Sequence, residues 1–79
     1  METIEIQKFI ENFASQFDEV DVKTLKAETK FRDIEEWSSL MALSVIAMVD
    51  EEYNVKIKGV DIRNSQTIND IFNIVKSRL

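Results

Sequence analysis

Ten consecutive residues, Leu40 to Val49, are apolar at every position except Ser44, and acids close the run on both sides, Glu35-Glu36 before it and Asp50-Glu51-Glu52 after it. A membrane span needs about 18 uninterrupted apolar residues, so this run is too short to be one. It reads instead as a helix that wants apolar neighbours around most of its circumference. The 79 residues make one small domain, 1–79, with no internal repeat, low-complexity tract or linker to divide it.

The rest of the chain is compatible only with helices around that run. One Gly, no Pro and 44% hydrophobic residues leave it too apolar for disorder and too poor in turn residues for a many-stranded sheet. Ile6, Phe9, Ile10, Phe13 and Phe17 follow the spacing of one buried stripe, which predicts a first helix from Ile4 to Phe17 capped by Thr3. From Asp18 to Glu36, charges alternate with Val20, Val22, Leu25, Phe31 and Ile34, the pattern of a long loop pinned to a core. The second helix spans Ser39 to Tyr53. A 100° advance per residue puts Ala42, Val45, Ile46, Val49 and Tyr53 on its core side and Leu40, Ser44, Ala47 and Glu51 opposite, with Met41 and Met48 between. A short connection containing Ile57 and Gly59 leads to a single turn, Val60 to Asn64. Thr67-Ile68-Asn69-Asp70 has the form of a capping box with Asp as its acid, and opens a last helix burying Ile68, Ile71, Phe72, Val75 and Leu79. The expected fold is all-α, a four-helix bundle with a long first loop and a short third helix.

Composition narrows the chemistry. Without cysteine there is neither a disulfide nor a thiolate metal site, and without histidine there is no imidazole base or ligand. No catalytic residue and no metal site is assigned, and an independent enzyme is not expected. A net charge of −5 disfavours nucleic acid and favours a basic protein partner. Met1-Glu2-Thr3 opens without the basic and apolar regions of a signal peptide, so a cytoplasmic monomer is expected.

The junction Trp37-Ser38-Ser39-Leu40 sets a hydroxyl pair at the start of the apolar helix. The first amides of a helix lack internal partners and the dipole favours negative charge there, so a phosphate on such a serine is stabilised. A serine at a helix start is also an ordinary N-cap worth about 1 kcal/mol. The two roles can be divided between Ser38 and Ser39 in either order. Trp37 suits a core anchor or a contact for an attached group. The methionines suit core filling or adaptable binding.

The stretch Asp33-Ile34-Glu35-Glu36-Trp37-Ser38-Ser39-Leu40, with the following helix ending Asp50-Glu51-Glu52-Tyr53, resembles the acyl carrier protein family. That family's signature is Asp-Ser-Leu at the start of the second helix, and its serine is esterified by 4'-phosphopantetheine. Matching Ser39-Leu40 to Ser-Leu implies attachment at Ser39, with Ser38 standing where the family usually has aspartate. Trp37 is similar to a branch reading Trp-Asp-Ser-Leu, and Tyr53, Val55, Ile57, Thr67 and Ile68 extend the resemblance. It implies a carrier that a phosphopantetheinyl transferase modifies, that holds an acyl or aminoacyl thioester, and that serves loading and synthase enzymes of fatty acid or polyketide type with basic docking surfaces. Docking is expected at Leu40, Ser44, Ala47, Asp50 and Glu51. Two other readings compete: an unmodified helical adaptor using the exposed side of the second helix, and an acidic blocker of a basic nucleic-acid-binding partner, which leaves the Trp-Ser-Ser-Leu junction unexplained.

Overall fold

In the computed structural model, which describes residues 5–79, four helices stack around an aromatic centre: α1 Ile6–Ala14, α2 Ser39–Tyr53, α3 Gly59–Arg63 and α4 Ile68–Ser77. The all-α bundle with a short third helix is therefore observed. Thr3 and Ile4 lie outside the described residues. The N-cap position of α1 is Glu5, with extended backbone, so the helix starts later than its apolar stripe suggested. It also stops at Ala14 rather than Phe17, because Ser15 and Gln16 both turn their side chains back onto the Asn12 carbonyl, at 2.7 and 3.2 Å. Beyond it the chain tightens into i→i+3 bonds, Gln16 to Phe13 and Phe17 to Ala14. Phe17 still reaches the core from this turn and is buried.

Phe9 and Phe13 are wholly buried, and their rings lie 6.5 Å apart; Phe72 of α4 is 5.4 Å from Phe9, and Phe31 is 6.4 Å from Phe13. Trp37 packs 4.7 Å from Phe31 and parallel to Phe13 at 6.3 Å. Interlocking rings at these distances add to the burial energy of each side chain. Tyr53 closes the other end, 5.8 Å from Phe9, its hydroxyl accepting from Asn12 Nδ2 at 3.0 Å. Burial pushes the Tyr53 hydroxyl's pKa up; the Asn12 bond opposes the shift and the charge on Glu52 adds to it.

The core face of α2 is the expected side with Met48 added to it, and Ala42, Ile46 and Tyr53 pack at its edge. Val45, Met48 and Val49 are buried, whereas Ala42, Ile46 and Tyr53 are only half-buried, as is Met41. Met48 is thus core rather than flank, and Leu43 faces outward at 62% exposure. A helix apolar nearly all round carries little periodic contrast, so its neighbours decide how deeply each residue goes inside. α2 ends at Asn54 in the left-handed conformation, φ 55°, a cap that Asn tolerates better than most residues. α3 starts one residue earlier than expected, at Gly59, and ends at Arg63. On α4, Ile68, Ile71, Phe72 and Val75 are buried as the stripe predicts, but Leu79 is 53% exposed because the helix ends at Ser77.

The loop between α1 and α2 is long but tied down. It contains two short 3₁₀ turns, Val22–Thr24 and Phe31–Asp33, with Leu25 and Phe31 buried. The Glu36 carboxylate accepts from the amides of Asp18 and Glu19 at 3.2 and 3.0 Å, closing the loop at its base. Its middle feeds the start of α4: Ile68 N donates to the Thr29 carbonyl at 3.1 Å and Asn69 N to the Ala27 carbonyl at 2.8 Å. Thr67 and Asp70 complete the expected capping box, Asp70 N to Thr67 Oγ1 at 3.1 Å and Thr67 N to Asp70 Oδ2 at 3.0 Å. No helix of the described residues is long and apolar enough to cross a membrane.

Candidate functional site

The loop delivers Ser38 and Ser39 to the start of α2 through a fixed sequence of turns. Phe31 anchors in the core, Trp37 N donates to the Ile34 carbonyl at 2.9 Å, and Trp37 packs on Phe31. Ser38 follows with extended backbone, φ −159° and ψ 174°, as an N-cap residue must. Its Oγ accepts from Met41 N at 3.3 Å, and its carbonyl accepts from Ala42 N at 3.0 Å. Ser39 is the first helical residue and is exposed, and its hydroxyl enters no hydrogen bond among the described residues. One serine caps and the other is free.

The two long helix starts with side-chain caps are treated differently. At α4 the first three amides are all taken, two by loop carbonyls and one by Thr67. At α2, among the described residues, the amides of Ser39 and Leu40 donate to nothing and only that of Met41 is satisfied. Unpartnered amides at the positive end of a 15-residue helix favour an anion at that place.

Ser38 and Ser39 stand on a groove of about 580 Å³ between α2 and α3. Ala42, Leu43 and Ile46 form its α2 wall, Gly59, Ile62 and Arg63 its α3 wall, and Trp37 and Arg32 its end. Trp37 therefore serves the core and also borders the groove. A serine phosphodiester with a slender attached chain fits these residues: an exposed hydroxyl, open amides, the basic Arg63 on the facing wall and an apolar lining. A second groove, of about 640 Å³, lies under the loop, but Glu19, Asp21, Asp33, Glu35 and Glu36 line it, and five carboxylates repel a phosphate.

The residues expected to dock partners all lie on α2 and differ in exposure. Leu40, at 70% exposure, Ala47 and Glu51 are exposed; Ser44 and Asp50 are half-buried. Ser44, Ala47 and Glu51 border a shallow groove against Asn12 and Ser15 of the α1 end, on the flank of α2 away from Ser39. Asp50 lies 3.6 Å from Lys56, an exposed pair of little energetic weight. Leu43 and Val60, 62% and 48% exposed, and the two arginines were not singled out from the sequence. An uninterrupted apolar run hides which leucine faces out, and nothing in the local pattern ties Arg32 to a helix some 30 residues later.

Among the described residues no cluster of three or more acidic side chains is arranged to hold a metal ion. The family model described as "Phosphopantetheine attachment site" matches residues 7–75, nearly the whole chain and both walls of the Ser39 groove. The chain belongs to that family, the acyl-carrier domains that bear a covalently attached 4'-phosphopantetheine.

Proposed function

We propose that Ser39 is the attachment residue and that the protein is a single-domain, monomeric, cytoplasmic carrier without catalytic activity of its own. The observation that carries this reading is the division of labour at the start of α2, where Ser38 caps Met41 and leaves the Ser39 hydroxyl exposed beside open amides. In the transfer, Ser39 Oγ attacks the pyrophosphate phosphorus of coenzyme A that bears the pantetheine. The P–O bond to the other phosphate breaks, and adenosine 3',5'-bisphosphate leaves. The serine proton goes to a base of the separate transferase, since no His or Cys of this chain could take it. When attached, the arm supplies a terminal thiol that holds an acyl or aminoacyl group as a thioester. The chain's own residues position the hydroxyl, complement the phosphodiester's charge and present the outer side of α2 to partners.

Delivery goes to loading and synthase enzymes of fatty acid or polyketide type whose docking surfaces are basic. Leu40, Ala47 and Glu51 form the exposed part of the docking face, with Ser44 and Asp50 at its edges and Leu43 added beside Ser39. A net charge of −5 supports association that is fast and salt-sensitive. The test is intact mass, with fragmentation, after incubation with coenzyme A, magnesium and a broadly active phosphopantetheinyl transferase. One 4'-phosphopantetheine on Ser39 is expected. No gain with several transferases rejects the reading.

A second reading, an unmodified adaptor, has one observation in its favour: Leu40, Leu43 and Val60 leave apolar surface exposed across α2 and α3. It requires a stoichiometric complex that survives Ser39→Ala, whereas a carrier's complexes are brief and depend on the arm.

A further inference from the structure

The α3 wall of the groove is five residues long, well short of the ~12–15 at which an isolated helix is even marginal. Its position depends on what holds its two ends. At the first turn, Asp61 Oδ2 accepts from Lys58 N at 2.8 Å while Arg78 of the α4 end grips the same carboxylate with two bonds of 2.9 and 3.0 Å. At the last turn the holding side chain is Arg32, from the loop. Its Nη1 donates to the Ser65 carbonyl at 2.6 Å, and its Nη2 to those of Ile62 and Arg63 at 3.0 and 3.1 Å. A guanidinium also suits the negative end of a helix dipole.

Arg32 directly follows Phe31, whose buried ring lies against Trp37, and Trp37 directly precedes Ser38. The Arg32 guanidinium sits 4.9 Å from the Phe31 ring centre, which limits its own motion. One short segment thus fixes the hydroxyl through Phe31 and Trp37, and fixes the facing wall through Arg32.

We propose that Arg32 is a positioning residue for arm attachment: by clamping the last turn of α3 to the loop that presents Ser39, it sets the spacing of the groove that a phosphopantetheinyl transferase must recognise. The inference rests on the assignment of Ser39 above. Arg32 touches no reacting atom and acts through the carbonyls of Ile62, Arg63 and Ser65. Lysine keeps the charge but lacks the planar fork that reaches three carbonyls at once.

The experiment is transferase kinetics on unmodified wild type, Arg32→Gln, Arg32→Lys and Ile10→Val, at a temperature where circular dichroism shows each one folded. Ile10→Val removes one buried methylene from α1, which lines no wall of the groove, and so controls for lost stability alone. Both Arg32 variants are expected to raise KM for the carrier about 5–10-fold with kcat within about twofold, the pattern of lost binding rather than lost chemistry. The control is expected to leave KM unchanged. Amide exchange at Asn64 and Ser65 should quicken in the Arg32 variants only. A wild-type KM in Arg32→Gln, or full recovery in Arg32→Lys, overturns the clamp; should Arg32→Gln fail to fold, Arg32→Lys decides. Failure of the wild type itself to gain mass instead removes the Ser39 assignment, and the clamp's role with it.

Discussion

Removing the Ser38 hydroxyl should weaken the fold and spare the modification. Ser38→Ala deletes the acceptor for Met41 N, and because the amides of Ser39 and Leu40 already lack partners among the described residues, the start of α2 is left to solvent alone. N-cap truncations cost about 0.5–2 kcal/mol. The 3.3 Å bond is long and exposed, so the lower half of that range applies, about 1 kcal/mol. In a domain of this size that lowers Tm by about 4–8 °C. The rest of α2 stays helical because Val45 and Val49, both wholly buried, hold it to the core. Ser39→Ala is expected to leave Tm within about 1–2 °C, since its hydroxyl bonds to nothing described and an exposed substitution of this kind moves stability little. Thermal melts followed by circular dichroism, paired with intact mass after transferase treatment, read both effects. Loss of modification in Ser38→Ala with the melting drop in Ser39→Ala would mean that the two serines exchange roles, and equal melting points would refute the capping argument.

Other outcomes follow from particular side chains. The Asp61 carboxyl is held below the usual range chiefly by its Arg78 hydrogen bonds and then by the Lys58 amide, and Asp70 by the amides of Gln66 and Thr67. A depressed folded pKa means that these groups contribute full stability above the unfolded value, about pH 3.9, and lose it as pH falls through the folded value. Asp61→Asn should therefore be less stable than wild type at neutral pH, with the gap narrowing as pH falls below the unfolded carboxylate value in urea titrations; a gap that does not narrow with falling pH contradicts the linkage. Gly59 has a negative φ, and a Cβ built on it meets nothing within 4 Å, so Gly59→Ala should stabilise by about 0.4–1 kcal/mol through the unfolded chain; a lower Tm would disprove this. Glu51→Lys should slow transfer by a basic cognate enzyme at low salt and lose its effect as salt rises; unchanged low-salt rates reject Glu51 as a docking residue.

The candidate site was legible where the signal was local. A hydroxyl pair before an apolar run, with a tryptophan ahead of it, marks a helix start in any context, and the Thr67-to-Asp70 spacing marks another. Which serine caps was open from the sequence, because a one-residue shift of the helix start exchanges the two, and the structure gives the cap to Ser38. The groove was not legible, since it exists only because α3 packs beside α2, and the arginines that line it, Arg32 and Arg63, are far apart in sequence. The loop's length was readable, whereas its attachment to α4 runs through backbone groups of Ala27 and Thr29, which carry no side-chain signature.

By itself the sequence determined the helical class, the order of the helices and the buried faces of the strongly amphipathic α1 and α4, because apolar residues there recur against a polar background. It also determined the bare −5 charge and the absence of any His or Cys chemistry. Tertiary structure decided how deeply each residue of α2 is buried, taking Met48 fully inside while Ala42, Ile46 and Tyr53 stay at the core's edge and Leu43 faces out, because a helix apolar on nearly every side carries little periodic contrast and its packing neighbours set the final few tens of degrees.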